Sequence, residues 1–124
     1  GGGIAANVAR VLPVGSWAEL DRASWSPAPV FRVLAGLGGM ALPETEGTWN
    51  LGIGMVAIVA ERAADAVIEK LGVDGFPAWV AGRVSTGERP STGGTGGGPV
   101  TGAFEQGAKG VDGGAVRLVG SFSD

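Results

Sequence analysis

Apolar positions recur with helical spacing at Ile4, Val8, Val11 and Leu12. Pro13 and Gly15 close that segment. Residues 17–21 (WAELD) alternate and predict a short strand. Ser26 followed by Pro27 reads as a helix N-cap with proline at the first helical position. Val30, Val33, Leu34 and Leu37 then form one apolar stripe, which Gly36, Gly38 and Gly39 bring to an end. Residues 53–60 are apolar almost throughout and rich in β-branched side chains, the pattern of a strand covered on both faces. Ala64, Val67, Ile68 and Leu71 mark a further helix, stopped by Gly72, and residues 78–84 (AWVAGRV) predict another strand. The alternation of helix and strand predicts an α/β protein of the α+β type, a mixed β-sheet with packed helices.

Residues 87–114 break this rhythm. They hold 11 glycines in 28 positions and few large apolar side chains. Such a stretch buries too little surface to offset its ordering entropy, so a flexible loop is expected. Residues 115–122 (AVRLVGSF) regain strand character and are expected to add a last strand to the sheet.

Composition narrows the chemistry. The chain of 124 residues has no Cys and no His. Disulfides, thiolate catalysis, Ser-His-Asp catalysis and His-bound zinc are thereby excluded within it. With 9 basic and 12 acidic residues the net charge is -3, so there is no basic footprint for nucleic acid and no cationic run for a membrane surface. The longest apolar run, residues 51–60, is too short for a bilayer, which needs about 20 residues. A single soluble, cytoplasmic domain that needs neither metal nor disulfide for its core is expected. Gly accounts for 25 residues, well above the usual share of about 7%.

Three stretches are candidates for binding or catalysis. Gly1, Gly2 and Gly3 precede the helix that starts at Ile4, and amides there are open to an anion such as a phosphate. The alternative is a plain linker. No Gly-Lys-Ser/Thr follows, so this is not a Walker A loop. Thr48, Asn50, Gly52 and Gly54 lie just before or within the apolar run. Glycines there point either to a ligand-facing edge or to close packing of a helix. Asp21 is either a general base or, with Arg22, a surface pair or cap. Glu44 and Glu46 lie in a Pro/Gly-bounded loop and read as solvated, and no metal site is expected. Trp17, Trp25, Trp49 and Trp79 are not interleaved with Lys or Arg, so they read as core or interface residues rather than a base-stacking platform.

The segments GGGIAANVARVLP, LDRASW, PAPVFRVL, TWNLGIGMVAIV and AWVAGRV stand in an order and spacing that resemble the C-terminal domain of the aminoimidazole ribonucleotide synthetases, also called phosphoribosylformylglycinamidine cyclo-ligases. The resemblance covers residues 1 to about 85. Asn7 and Arg10 match the family pattern near the start, whereas Ala6 replaces its usual Glu, Ala9 its Pro, and Trp49 a Phe.

The resemblance implies a place within a longer protein. Gly1 to Gly3 would then be an internal turn that opens the C-terminal domain. A separate N-terminal domain would supply most of the site for ATP and Mg2+ and much of a homodimer contact. The implied reaction is the ATP-dependent closure of formylglycinamidine ribonucleotide to aminoimidazole ribonucleotide in purine synthesis. Such chemistry relies on positioning and anion stabilisation. On this reading Gly1, Gly2, Gly3 and Ile4 hold the substrate phosphate and Asn7 braces them. Thr48, Asn50 and Gly52 line a groove toward the other domain, with Asp21 and Arg22 as further candidates. No catalytic side chain is assigned, the chain alone is expected to be inactive, and no cofactor is expected on it. Two alternatives remain. One is a related ATP-dependent enzyme of the same superfamily, against which LDRASW and PAPVFRVL speak. The other is a non-enzymatic interaction module with residues 87–114 as its arm.

Overall fold

The computed structural model of the chain describes residues 2–90, 104–106 and 113–123. Its elements in chain order are α1 (Gly3–Ala9), β1 (Ser16–Asp21), α2 (Pro29–Leu37), α3 (Ala64–Val73), β2 (Gly82–Thr86), β3 (Glu105–Gln106) and β4 (Ala115–Val119). Short helical turns follow β1 at Arg22–Ser24, precede the TWN segment at Leu42–Thr45, and lead into α3 at Glu61–Ala63. The strands form one mixed sheet in the order β2-β1-β4-β3. β1 runs antiparallel to β2 and parallel to β4, with Ala18 opposite Val116 and Leu20 opposite Leu118. The α+β class expected from the alternation of elements is the one observed.

The register explains the core. Ala18, Leu20, Val116 and Leu118 share one face of the sheet, and α1 covers it with Ile4, Ala5, Val8 and Ala9, all buried. Of the positions whose spacing predicts a helix over 4–12, Ile4, Val8 and Leu12 face this core, whereas α1 already ends at Ala9 and Val11 is exposed. Trp25 closes the end of this core, its ring edge-on to Phe122 at 5.2 Å and its indole N–H donating to the Leu51 carbonyl at 3.3 Å. The opposite sheet face carries Trp17, Glu19 and Arg117. There Arg117 pairs with Glu19 at 2.8 Å and lies over the ring of Phe104, which meets Trp17 edge-on.

Several boundaries differ from the sequence expectation. α2 starts at Pro29, with Ala28 extended as its N-cap, rather than at Pro27. A residue before proline is pushed out of the helical region, so Ala28 cannot serve inside a helix begun at Pro27. The stripe of Val30, Val33, Leu34 and Leu37 faces outward, and only Ala35 of α2 is buried. α3 runs through Gly72 to Val73, and Gly75 beyond it takes the left-handed conformation at φ 85°. β2 begins at Gly82 rather than at residue 78; a side chain at Gly82 would strike the Glu19 carbonyl across the ladder. Trp79 is 41% exposed and so is no core residue.

The largest departure is residues 53–60, which belong to no ladder among the described residues. Leu51 (φ 52°) and Gly52 (φ 94°) turn the chain just before this run, and both edges of β1 are already taken by β2 and β4. Met55, Val56, Ile58 and Val59 are consequently exposed. β4, the last strand of the chain as expected, joins the sheet between β1 and β3. The loop expected over 87–114 lies outside the described residues except at 87–90, 104–106 and 113–114, and β3 forms within that span. No helix among the described residues is long and apolar enough to cross a membrane.

The contrast between a covered sheet face and an exposed apolar run is measurable. Leu118→Ala, at a position 4% exposed, is expected to cost about 2–5 kcal/mol of unfolding free energy in urea titrations. Met55→Ala, at a position 89% exposed, is expected to stay within about 0.5 kcal/mol of the parent.

Candidate functional site

Two segments more than forty residues apart in sequence meet beside α1. Gly2 and Gly3 are both in the left-handed region, at φ 96° and 70°, and this turn brings the backbone of α1 against the loop that follows the turn Leu42–Thr45. A Cβ on Gly3 would collide with the Glu46 carbonyl. Only glycine permits that approach. Asn7, one helical turn on, donates from Nδ2 to the Gly3 carbonyl at 2.6 Å and so stiffens the entry to the helix. On the other side Thr45 accepts at its carbonyl from the amides of Thr48 (2.9 Å) and Trp49 (2.8 Å), which curls residues 45–49 into a tight turn.

Between these walls lies an open groove of about 430 Å³ lined by Gly3, Asn7, Phe31, Thr48, Trp49 and Asn50. The Phe31 and Trp49 rings, 5.9 Å apart, form its apolar side, with Leu34 beside them. A second hollow of about 310 Å³ continues from Gly3, Asn7 and Asn50 along Ile53 to Val56. The residues lining the first groove include amides, a hydroxyl and two aromatic rings but no charged side chain. The nearby cation is Arg10, whose Nη2 would lie 3.9 Å from a Cβ on Gly2. Neutral donors of this kind orient a ligand by hydrogen bonds, and the rings offer apolar faces to its body.

The sequence candidates fall into three groups. Gly3, Asn7, Thr48 and Asn50 come together in the groove. Gly1 lies outside the described residues, and Ile4 is only 5% exposed with its side chain in the core, which leaves at most its backbone for a ligand in the first groove. Asn50 is partly engaged already, donating to the Ile53 carbonyl at 2.8 Å. Gly52 supports the wall rather than lining it: a Cβ there would touch the Phe31 ring at 3.7 Å.

Asp21 and Arg22 do not line the groove, which corrects that expectation. Asp21 caps the turn after β1, accepting from the Ala23 amide at 2.9 Å. Arg22 is buried, and its guanidinium grips Glu46 by two bonds, Nε to Oε1 at 2.5 Å and Nη2 to Oε2 at 2.8 Å. Glu46 is therefore not a solvated carboxylate; its side chain is 12% exposed and fully paired. The expectation for Glu44 stands closer, since it is exposed and accepts from the Ala41 amide. Sequence reasoning missed Phe31, Leu34 and Glu46. The first two sit in the segment PAPVFRVL, whose apolar spacing was the available signal; nothing local marks Glu46 as the partner of a residue 24 positions away.

Close packing at Gly3 has a direct test. Gly3→Ala is expected to lower stability by about 1–3 kcal/mol, because it adds backbone strain to the collision with Glu46. Gly54→Ala, where nothing lies within 4 Å, is expected to be nearly neutral in the same thermal melts.

Comparison with known proteins supplies the wider frame. Residues 1–94 match the family described as AIR synthase related protein, C-terminal domain. A putative phosphoribosylformylglycinamidine cyclo-ligase of Streptomyces fradiae is 46% identical over 85 residues, 68% of this chain and 47% of that relative. The phosphoribosylformylglycinamidine cyclo-ligase of Brevibacillus brevis is 39% identical over 89 residues, and that of Symbiobacterium thermophilum 43% over 88. The matched stretch covers 47%, 26% and 25% of these three relatives, so the chain spans from about a quarter to about half of their length. With the family match running through α1, β1, α2, α3 and β2, the chain belongs to the AIR synthase related proteins and carries sequence of their C-terminal domain.

Proposed function

We propose that this chain works as part of a phosphoribosylformylglycinamidine cyclo-ligase, an ATP-dependent enzyme of purine synthesis that closes formylglycinamidine ribonucleotide to aminoimidazole ribonucleotide. The observation that carries the reading is the meeting of Gly3, in the glycine turn, with Thr48–Asn50 in one groove, within a chain similar to proteins of that name. In this reading the groove takes the nucleotide substrate. Gly1, Gly2 and Gly3 receive its phosphate, Asn7 and Arg10 stand beside them, and Thr48 and Asn50 hydrogen-bond the rest.

ATP would supply the phosphoryl group that makes the formyl oxygen a leaving group. The contribution of this chain is to hold and orient the substrate, which alone is a large catalytic effect. Among the described residues no cluster of three or more Asp, Glu, His or Cys is able to hold a metal ion. On the family resemblance the reading assigns ATP and Mg2+ chiefly to an N-terminal domain, with homodimerisation and a cytoplasmic location as further parts of the same proposal.

A thermal melt with ribose 5-phosphate tests it. A ligand that binds only the folded state stabilises it by about 2.7 kcal/mol at 100 times its Kd. A raised melting temperature is expected for the parent, and a smaller rise for Thr48→Asp, which places a carboxylate on the groove wall. The absence of any rise in the parent, or an equal rise in Thr48→Asp, would overturn the assignment of the groove.

A further inference from the structure

The reading of the groove as a ligand site leaves one buried feature unexplained. Arg22 is 3% exposed, touches no groove surface, and yet spends all three of its guanidinium nitrogens on fixed partners. Nε and Nη2 hold the Glu46 carboxylate, and Nη1 donates to the Gly120 carbonyl at 3.0 Å. Burying such a pair costs several kcal/mol of desolvation per ion, and well-packed apolar side chains often match or exceed its net stability. Stability alone is therefore a weak reason for the pair, and its position suggests a better one.

Glu46 is the hinge between the two groove walls. Its side chain is held by Arg22, while its backbone carbonyl is the atom against which Gly3 packs. One residue before it, the Thr45 carbonyl collects the amides of Thr48 and Trp49; two residues after it, Thr48 lines the groove. Asn7 holds the opposing wall through the Gly3 carbonyl. Arg22 in turn is fixed between the end of β1 and the residue after β4. The width of the groove at Gly3 and Thr48 is thus referred to the rigid sheet through one bidentate ion pair. The geometry points to Arg22 and Glu46 as positioning residues: they set the Thr48–Asn50 wall against the glycine turn without touching the ligand. This rests on the groove being the ligand site proposed above.

The pair's fork is specific to arginine, since a lysine keeps the charge but cannot reproduce two parallel bonds. Two variants separate positioning from simple stability. Arg22→Met with Glu46→Leu removes both charges together, and Arg22→Lys keeps both but loses the fork. Each is read in two ways on the folded protein: amide hydrogen exchange, and the affinity for ribose 5-phosphate by calorimetry. The expected result is faster exchange at Thr48 and Trp49 with unchanged protection at Ala18 and Leu20 in β1. Affinity is expected to fall by roughly tenfold to a hundredfold, as displacement of positioning groups by about 1 Å can do.

Parent-like affinity in a folded variant overturns the inference, as does unchanged exchange at Thr48 and Trp49. Should the double variant not fold, Arg22→Lys gives the same two readings. If the parent itself binds no ribose 5-phosphate while Thr48 and Trp49 lose protection selectively, the pair still sets the wall and it is the ligand assignment that falls.

Discussion

One guanidinium ties together the parts of this chain that sequence order keeps apart. Arg22 sits at the end of β1, binds the loop at Glu46 and caps the exit of β4 at Gly120. Gly120 is itself left-handed (φ 69°), and a Cβ there would lie 2.7 Å from Asp21 Oδ1, so the chain closes tightly around the arginine. A buried arginine left without its carboxylate would be an uncompensated charge in the interior. The loop carrying Glu46 is therefore bound to the sheet by electrostatics as well as by packing, and that loop brings Thr48, Trp49 and Asn50 beside α1.

The protein has two surfaces of unlike character. Around α1 the apolar side chains are inside, and the sheet register places Ala18, Leu20, Val116 and Leu118 under one helix. Along α2 and residues 53–60 the apolar side chains are outside, from Val30 and Leu37 to Met55 and Ile58. The relatives this chain matches are about two to four times as long as the matched stretch.

The elements that depend on local pattern were legible. α1 and β1 follow from the spacing of Ile4 and Val8 and from the alternation of Trp17 to Asp21, and α3 from Ala64 to Leu71. Elements whose fate is decided by distant partners were not. The run at 53–60 has the composition of a covered strand, but composition does not fix pairing, and the run joins no ladder among the described residues. β4 was legible as a last strand of the sheet, but its place beside β1, in parallel and almost the whole chain away, was not. In the groove, the glycine at 3 and the polar side chains at 7, 48 and 50 announced themselves by type and by family resemblance. Glu46 did not, because a carboxylate in a loop looks the same in sequence whether water or a buried arginine faces it.

The central claim is that the glycine turn and the Thr48–Asn50 segment form one ligand-binding groove. The most direct measurement is an amide chemical-shift map of the isotopically labelled chain titrated with ribose 5-phosphate. The account predicts saturable shifts concentrated at Gly2, Gly3, Asn7 and Thr48 to Asn50, with the amides of β1 and β4 unmoved. Shifts centred on another part of the surface, or none at saturating ligand, would contradict it.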